Sequence, residues 1–207
     1  MKRFLQNIGL FLFLAIIFSS LTGCGTKTSS QTNETAQTNS QAENKGENKS
    51  SESSKYPPAP TAMAKAELEL LDGSKITIED RKGKVLLFNL WGIWCGPCRA
   101  EMPELIAMQE KFKDKGLHII GLNVGDEDGN PENVDNIKKF SEKMGLNYEL
   151  VRVSNEATEQ MMKASKFSGV PQSYLIDREG RLRGVFVGGG PKVLGQLKEN
   201  VEKVANE

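Results

Sequence analysis

The sequence predicts a three-layer α/β domain in which a central sheet carries helices on both faces. Two near-continuous apolar runs, residues 85–91 and 117–124, are typical of central strands that are covered on both sides. Residues 66–80 and 171–187 each predict a hairpin around a short turn, and residues 148–153 predict a further strand. Alternation of these strands with helical segments gives the three layers. The helices are expected at residues 97–115, 131–144, 156–163 and 191–204.

The charge balance excludes one class of partner. The chain has 207 residues, and its 27 basic and 27 acidic residues cancel. Such a balance leaves no electrostatic footprint for nucleic acid, so we expect no nucleic-acid partner. Polar residues are concentrated in the N-terminal quarter, and the proline-rich Y-P-P-A-P at residues 56–60 marks the boundary after it. We therefore expect one folded domain, residues 56–207, that acts as a monomer.

Residues 1–23 have the pattern of a signal peptide. A positively charged start precedes an uncharged apolar run of eleven residues, Ile8–Phe18, which is short for a permanent membrane helix. The L-T-G-C that follows, residues 21–24, resembles a bacterial lipobox, which implies cleavage before Cys24 and lipidation of that cysteine. The alternative is a secreted protein in which Cys24 is an incidental thiol. Lipidation predicts a cell-envelope protein anchored at the extracytoplasmic face of a membrane, either in the periplasm or on the outer leaflet of the cytoplasmic membrane.

Residues 24–55 predict a lipidated, disordered tether. From residue 25 onward this segment contains no aromatic or large aliphatic side chain. It cannot bury enough apolar surface to offset the entropy lost on ordering. As a flexible coil it would span about 30 Å on average.

Cys95 and Cys98 allow three interpretations. A structural zinc needs four ligands, whereas this pair supplies two and the single histidine, His118, falls on an expected buried strand, so no metal is expected. A structural disulfide three residues apart would close a very short loop and stabilise the fold little. A reactive pair fits best, because the start of a helix favours a thiolate and C-x-x-C beside a βαβ pattern is typical of redox proteins. Cys95 would attack a substrate disulfide and Cys98 would resolve the intermediate, with no cofactor.

The surrounding residues resemble a known family. K-G-K-V-L-L-F-N-L-W-G-I-W-C-G-P-C-R-A-E-M-P, residues 82–103, is similar to the thioredoxin superfamily, specifically to TlpA/ResA-like extracytoplasmic thiol–disulfide oxidoreductases. The likeness continues through G-L-N-V (121–124) and G-V-P-Q-S-Y-L-I-D (169–177), and covers about residues 60–205. It implies a thioredoxin-like fold with a central mixed sheet, helices on both faces and an N-terminal β-hairpin extension.

The resemblance also implies roles for individual residues. It makes Cys95 the nucleophile and Cys98 the resolving thiol of one redox disulfide. Pro171 matches a cis-proline beside the active site, although the residues alone also allow an ordinary proline at the start of a strand. The expected substrate-binding residues are Trp94, Gly96, Pro97, Val170 and Pro171.

Proton transfer is expected to differ from that in cytoplasmic thioredoxin. The buried aspartate and lysine of thioredoxin correspond here to Asn89 and Gly121. Glu101, one helical turn beyond Cys98, matches the functional glutamate of ResA-like proteins, and we expect it to be catalytic, partly desolvated and raised in pKa. The alternative is an ordinary exposed helix carboxylate. Asp126 matches a further acidic position of the family, but capping of its own loop is an equal alternative.

The implied function is reduction of protein disulfides. The resemblance implies partners such as apocytochrome c, as in cytochrome c maturation, and a CcdA/DsbD-type membrane electron donor. The Gly96-Pro97 dipeptide matches that of reducing thioredoxins, whereas an extracytoplasmic compartment by itself favours oxidation. One alternative is a thiol peroxidase of the AhpC/TSA type, although the usual P-x-x-x-T-x-x-C context is missing from the sequence. Another is a metallochaperone or binding lipoprotein on the same fold.

Overall fold

The computed structural model describes residues 55–64 and 66–207. The expected signal peptide, Cys24 and nearly all of the tether lie outside the described residues. Within the described ranges, no helix combines the length and the apolar character that crossing a membrane requires.

A seven-stranded mixed sheet forms the middle layer. Its strands are β1 (Glu67–Leu70), β2 (Lys75–Thr77), β3 (Val85–Trp91), β4 (Leu117–Asn123), β5 (Glu149–Arg152), β6 (Gln172–Ile176) and β7 (Leu182–Val187). They lie in the order β2-β1-β5-β4-β3-β6-β7. Strands β3, β4 and β5 are parallel, while β6 and β7 on one side and the β1–β2 hairpin on the other are antiparallel. The predicted mixed sheet is confirmed, and the N-terminal hairpin extends it by two strands.

Helices cover both faces of this sheet, as predicted. They are α1 (Thr61–Ala64), α2 (Gly96–Phe112), α3 (Val134–Met144), α4 (Asn155–Ser165) and α5 (Pro191–Asn206), with short 3-10 helices at Ile78–Arg81 and Lys113–Lys115. Helix α3 begins three residues later than predicted, because the Asn133 side chain caps it by accepting a hydrogen bond from the Asp135 N–H. The sequence pattern did not predict α1, which has only four residues.

Strand β3 separates two hydrophobic cores. Leu87 and Trp91 point into the core that α2, α3 and α5 cover, whereas Phe88 and Leu90 point into the core under α1 and α4. All seven residues of β3 are buried, which agrees with the near-continuous apolar run. A strand held from both faces is a rigid base for the loop that leaves its carboxyl end at Trp91.

Residues 56–59, which we call the strap, run along the start of β7. The Leu182 N–H donates to the Pro57 carbonyl, and the Ala59 N–H donates to the Gly180 carbonyl, both at 2.9 Å. The segment that marked the domain boundary in the sequence is therefore hydrogen-bonded to the folded domain. The strand register places the strap at the amino end of β3, because Leu86 pairs with Ile176 and Ile176 pairs with Leu182.

Candidate active site

The cysteine pair lies where the chain leaves β3 and enters α2. Cys95 is the N-cap residue of α2, with an extended backbone, and Pro97 lies in the first turn. A disulfide joins Cys95 to Cys98, and the Cys98 N–H donates to the Cys95 sulfur at 3.1 Å. Cys95 is 3% exposed and Cys98 is 1% exposed. Free N–H groups and the dipole at this helix start stabilise negative charge on the Cys95 sulfur.

The loop before β6 closes one side of the disulfide. The Val170–Pro171 peptide bond is cis, which confirms that feature of the predicted cis-proline. The Val170 carbonyl oxygen lies 3.8 Å from the Cys95 sulfur. Pro171 is buried, and its carbonyl accepts a hydrogen bond of 2.9 Å from the Gly188 N–H after β7. This main-chain hydrogen bond, between the residue before β6 and the residue after β7, holds the loop next to Cys95.

Glu101 lies on the buried face of α2, one turn beyond Cys98. It is only 7% exposed, so the alternative of an exposed helix carboxylate is wrong. The Asn89 side-chain amide donates to Glu101 Oε1 at 2.7 Å and to Ser173 Oγ at 3.1 Å. Burial raises the pKa of Glu101 to about 7, and the hydrogen bond from Asn89 opposes this rise only in part. The expected desolvation is thus present, and the raised pKa follows from it.

Glu101 also reaches a groove on the protein surface. The groove has a volume of about 650 Å³ and opens between α2 and the start of α5. Besides Glu101 it is lined by Pro97, Ala100, Glu104, Gly190 and Leu194. A buried carboxyl group at the wall of such a groove can exchange its proton with solvent.

Gly121 lies beside Asn89, because the two residues are partners in the β3–β4 ladder. A Cβ atom at residue 121 would lie 2.7 Å from Leu150 Cδ2 and 3.0 Å from Trp91 Nε1. The space that a lysine takes in thioredoxin is therefore filled by neighbouring side chains. Residue 121 therefore supplies no positively charged side chain to Glu101.

Trp94 forms an exposed platform beside the disulfide. Its side chain is 39% exposed, and its indole N–H donates to the Gly125 carbonyl at 2.9 Å. The ring lies over Gly92, where a Cβ atom would be 2.6 Å from the indole nitrogen. Gly96 and Pro97 are exposed next to it. Trp91, by contrast, is fully buried and stacks on Phe140, so it belongs to the core.

Asp126 caps its own loop. Its carboxylate accepts hydrogen bonds from the N–H groups of Asp128, at 3.0 Å, and Asn130, at 2.8 Å. The hydrogen bond from the Asn130 backbone is the main cause that lowers the pKa of Asp126. The loop begins at Gly125, whose carbonyl holds Trp94. Of the two roles considered for Asp126, loop capping is the one that these contacts match.

Two further residues of the site escaped the sequence analysis. Phe167 is 37% exposed and lies against Gly169 in the loop that leads to the cis bond. Ser173 is the partner of Asn89 in the β3–β6 ladder, and its hydroxyl accepts the hydrogen bond described above. In the sequence, Phe167 could have been noticed as a lone aromatic residue in the polar stretch S-K-F-S-G, and Ser173 as a serine within an expected buried strand.

Among the residues that the structure describes, no three His, Cys, Asp or Glu side chains converge as metal ligands would.

Comparison with known proteins agrees with this geometry. Residues 58–185 match the family model described as the AhpC/TSA family. The thiol-disulfide oxidoreductase ResA of Bacillus thuringiensis strain Al Hakam is 32% identical over 132 residues, which cover 64% of this chain and 68% of that protein. ResA of Geobacillus thermodenitrificans is 29% identical over 134 residues, 65% of this chain and 71% of that protein.

Solved structures agree as well. A thiol:disulfide interchange protein DsbE from Chlorobium tepidum superimposes with a TM-score of 0.59 at 25% identity, covering 72% of this chain and 96% of that one. A thiol:disulfide interchange protein from Bacteroides sp. gives a TM-score of 0.58 at 26% identity, covering 73% and 90%. The chain therefore belongs to the AhpC/TSA family, and it is a thioredoxin-like thiol–disulfide oxidoreductase of the ResA/DsbE type.

Proposed function

We propose that this oxidoreductase reduces disulfides of other proteins outside the cytoplasm, while a lipid on Cys24 anchors it to a membrane through the tether of residues 24–55. The observation that carries the chemistry is the buried Glu101 carboxyl, one turn beyond Cys98 and with a pKa of about 7. An acid–base group works best when its pKa lies near the operating pH. The matching L-T-G-C lipobox and the polar segment after it support the anchor.

In the first step, the Cys95 thiolate attacks one sulfur of a substrate disulfide. The substrate S–S bond breaks, a mixed disulfide with Cys95 forms, and the substrate sulfur that leaves takes up a proton. The position of Cys95 at the start of α2, with the Cys98 N–H 3.1 Å from its sulfur, supports this role, because both stabilise a thiolate.

In the second step, Cys98 resolves the mixed disulfide. Its thiol passes a proton to the ionised Glu101, and the resulting thiolate attacks the Cys95 sulfur. The Cys95–Cys98 disulfide forms, and the second substrate sulfur leaves as a thiolate that takes up a proton from solvent. The substrate is released as a dithiol, so two electrons have passed to it. When an electron donor reduces the pair again, Glu101 returns the proton to Cys98. We propose a CcdA/DsbD-type membrane protein as that donor.

Substrate recognition is proposed at the loop before β6. The short distance of 3.8 Å from the Val170 carbonyl to the Cys95 sulfur supports pairing of this main chain with an extended segment of the substrate. The exposed Trp94, with Gly96 and Pro97, supplies an adjoining apolar surface. An unfolded polypeptide such as apocytochrome c would present its cysteines in the required extended form. The Gly96-Pro97 dipeptide supports reduction as the direction.

Trapping with the full-length Cys98→Ser variant tests the proposal. Without the resolving thiol, mixed disulfides between Cys95 and extracytoplasmic proteins should accumulate in cells and disappear when Cys95 is also replaced by serine. Absence of such adducts, or rapid peroxide consumption by the purified wild type, would contradict substrate reduction. The anchor is tested in the same cells, because Cys24→Ala should move the protein from the membrane fraction to the soluble fraction.

A further inference from the structure

Three buried polar atoms near the active site have no hydrogen-bond partner. They are Asn89 Oδ1, Trp91 Nε1 and the hydroxyl of Tyr148, and none of the described residues bonds to them. A buried polar group without a partner destabilises the folded state, and native proteins contain few of them. Three in one region therefore call for a functional explanation.

The three residues meet around Gly121. A Cβ atom at residue 121 would lie 3.0 Å from Trp91 Nε1 and 3.2 Å from Tyr148 Cε2. Asn89 is the ladder partner of Gly121 on β3, and Tyr148 immediately precedes β5 on the other side of β4. Only a glycine leaves room for the indole and the phenol to lie together over β4.

Glu101 lies in the same region. The Asn89 amide that adjoins Gly121 donates to Glu101 Oε1 at 2.7 Å. The Tyr148 ring adjoins Gly121, which is the ladder partner of the same Asn89. Burial is the main cause that raises the pKa of Tyr148, and the charge of Glu101 adds to it. Asn89 is the one hydrogen-bond donor to Glu101 among the described residues, since no further bond to that carboxylate is present there.

The other groups that surround Glu101 do not supply a positive charge to its buried side. Helix α2 contributes Cys98 and Glu104, and Glu104 is paired with Lys198 of α5 at 2.6 Å on the groove side. The remaining neighbours from β6 and α5 are uncharged: Pro171, Gln172, Ser173, Val193, Leu194 and Leu197. Tyr148 is thus the titratable group that faces this interior from the β5 side.

We propose that Tyr148 is a positioning residue of the redox reaction, and that its hydroxyl donates a hydrogen bond to the Glu101 carboxylate when that group is ionised. The inference rests on the acid–base role of Glu101 in the proposed function. A base that receives the Cys98 proton must first carry a negative charge, and Glu101 must carry it while only 7% exposed. A hydroxyl dipole that turns toward that charge stabilises it in place of the lost hydration. Tyr148 keeps its own proton throughout and exchanges no electrons.

The Tyr148→Phe variant tests this role, because it removes the hydroxyl and keeps the ring. The protonation of Glu101 is followed in the full-length reduced protein by the infrared carbonyl band that disappears in Glu101→Gln. Loss of a hydrogen bond to the charged form should raise the midpoint of this titration by about one pH unit, a roughly tenfold increase in proton affinity. Well below this midpoint, where Glu101 is neutral, thermal stability should stay the same or rise, since the hydroxyl has no partner in the present structure.

Tyr174→Phe is the matched control. The Tyr174 hydroxyl is also buried, but it lies 2.7 Å from the Met161 carbonyl and 2.9 Å from Gln172 Oε1 in the core under α4. This variant should lose stability and leave the Glu101 midpoint where it is. An unchanged midpoint in Tyr148→Phe overturns the inference and assigns Tyr148 to the core alone. The titration needs no substrate, so it is decided separately from the trapping experiment on the proposed function.

Discussion

Glu101 is subject to two opposing effects. Its carboxyl group is 7% exposed, and burial favours the neutral form, while one hydrogen bond from Asn89 favours the charged form. Burial prevails because one neutral amide replaces only part of the lost hydration. A lysine at residue 121 would shift this balance toward the charged form, but the packing around Gly121 leaves no room for one. Because its buried neighbours are uncharged, Glu101 has a pKa that suits proton exchange near neutral pH.

Replacement of Glu101 by glutamine should change how stability depends on pH. The pKa of Glu101 is raised from 4.5 to about 7 in the folded protein. Because the folded state binds this proton more tightly than the unfolded state, protonation of Glu101 stabilises the fold, and this contribution is complete below pH 4.5. That contribution is lost as the pH rises through 7, and the free energy of unfolding should fall by roughly 3 kcal/mol across this window. Glu101→Gln lacks the titration, so its curve should lack this fall. Urea denaturation at a series of pH values measures the difference.

A carboxylate on the surface of the same helix provides the control. Glu104→Gln removes the partner of Lys198 and should follow the pH dependence of the wild type. Parallel curves for the wild type and Glu101→Gln would mean that Glu101 titrates in its ordinary range, and would contradict the role proposed for it.

At the level of elements, three segments meet at the disulfide: the first turn of α2, the loop before β6 and the loop between β7 and α5. The last is Gly188-Gly189-Gly190, and Gly189 makes the close approach. A Cβ atom on Gly189 would lie 2.9 Å from Pro97 Cβ and 3.7 Å from Pro171 Cγ. The glycine thus allows two active-site prolines to be held by one loop.

Gly189→Ala should lower kcat/KM for a protein disulfide. The added methyl group overlaps Pro97, so the first turn of α2 or the loop must move, and small displacements of reacting groups are costly. We expect about a tenfold loss, measured by insulin reduction.

Gly195→Ala is the matched control for this prediction. Residue 195 lies within α5 and a Cβ atom there would touch nothing within 4 Å. This variant should retain activity and gain about 0.5–1 kcal/mol of stability, because alanine favours the helix. Full activity in Gly189→Ala would show that the loop adapts without moving the site.

Across the whole molecule, the redox chemistry and an ion-pair cluster occupy opposite ends of the sheet. Arg183 on β7 pairs with Asp177 at 3.3 Å and with Glu207 Oε1 at 2.7 Å. Its guanidinium lies 4.1 Å from the centre of the Tyr56 ring. One side chain thereby joins the strap, the end of β6 and the C-terminus of α5. The ion-pair cluster therefore lies at the amino end of β3, and the disulfide lies beyond its carboxyl end.

Arg183→Met should lower the stability of the fold without changing the redox activity. The change leaves the buried Asp177 without its cation, although the N–H groups of Glu179 and Arg181 still donate to it. We expect the free energy of unfolding to fall by about 3 kcal/mol, with insulin reduction by the folded protein unchanged. Lys111→Ala, which breaks an exposed pair with Glu202, should change stability by less than about 1 kcal/mol. A loss of activity in folded Arg183→Met would show that the two ends are coupled.

The sequence by itself determined the fold class and the identity of the reactive pair. The runs that form β3 and β4 are apolar almost throughout, which is typical of strands covered on both faces. Cys95 and Cys98 follow the first of these runs at a spacing that suits exchange better than zinc binding or structural cross-linking. These are local properties, and local patterns of hydrophobicity and spacing encode them.

Only the tertiary structure decided the state of the groups around that pair. The i, i+3 spacing places Glu101 beside Cys98, but its burial depends on Ser173 and Asn89, and on α5, which lies far along the chain. The same holds for Tyr148, whose ring packs against Gly121, and for the strap, which pairs with β7. Desolvation is a property of everything that surrounds a group in space. No pattern along the chain records it, and it appears only when the distant segments are packed together.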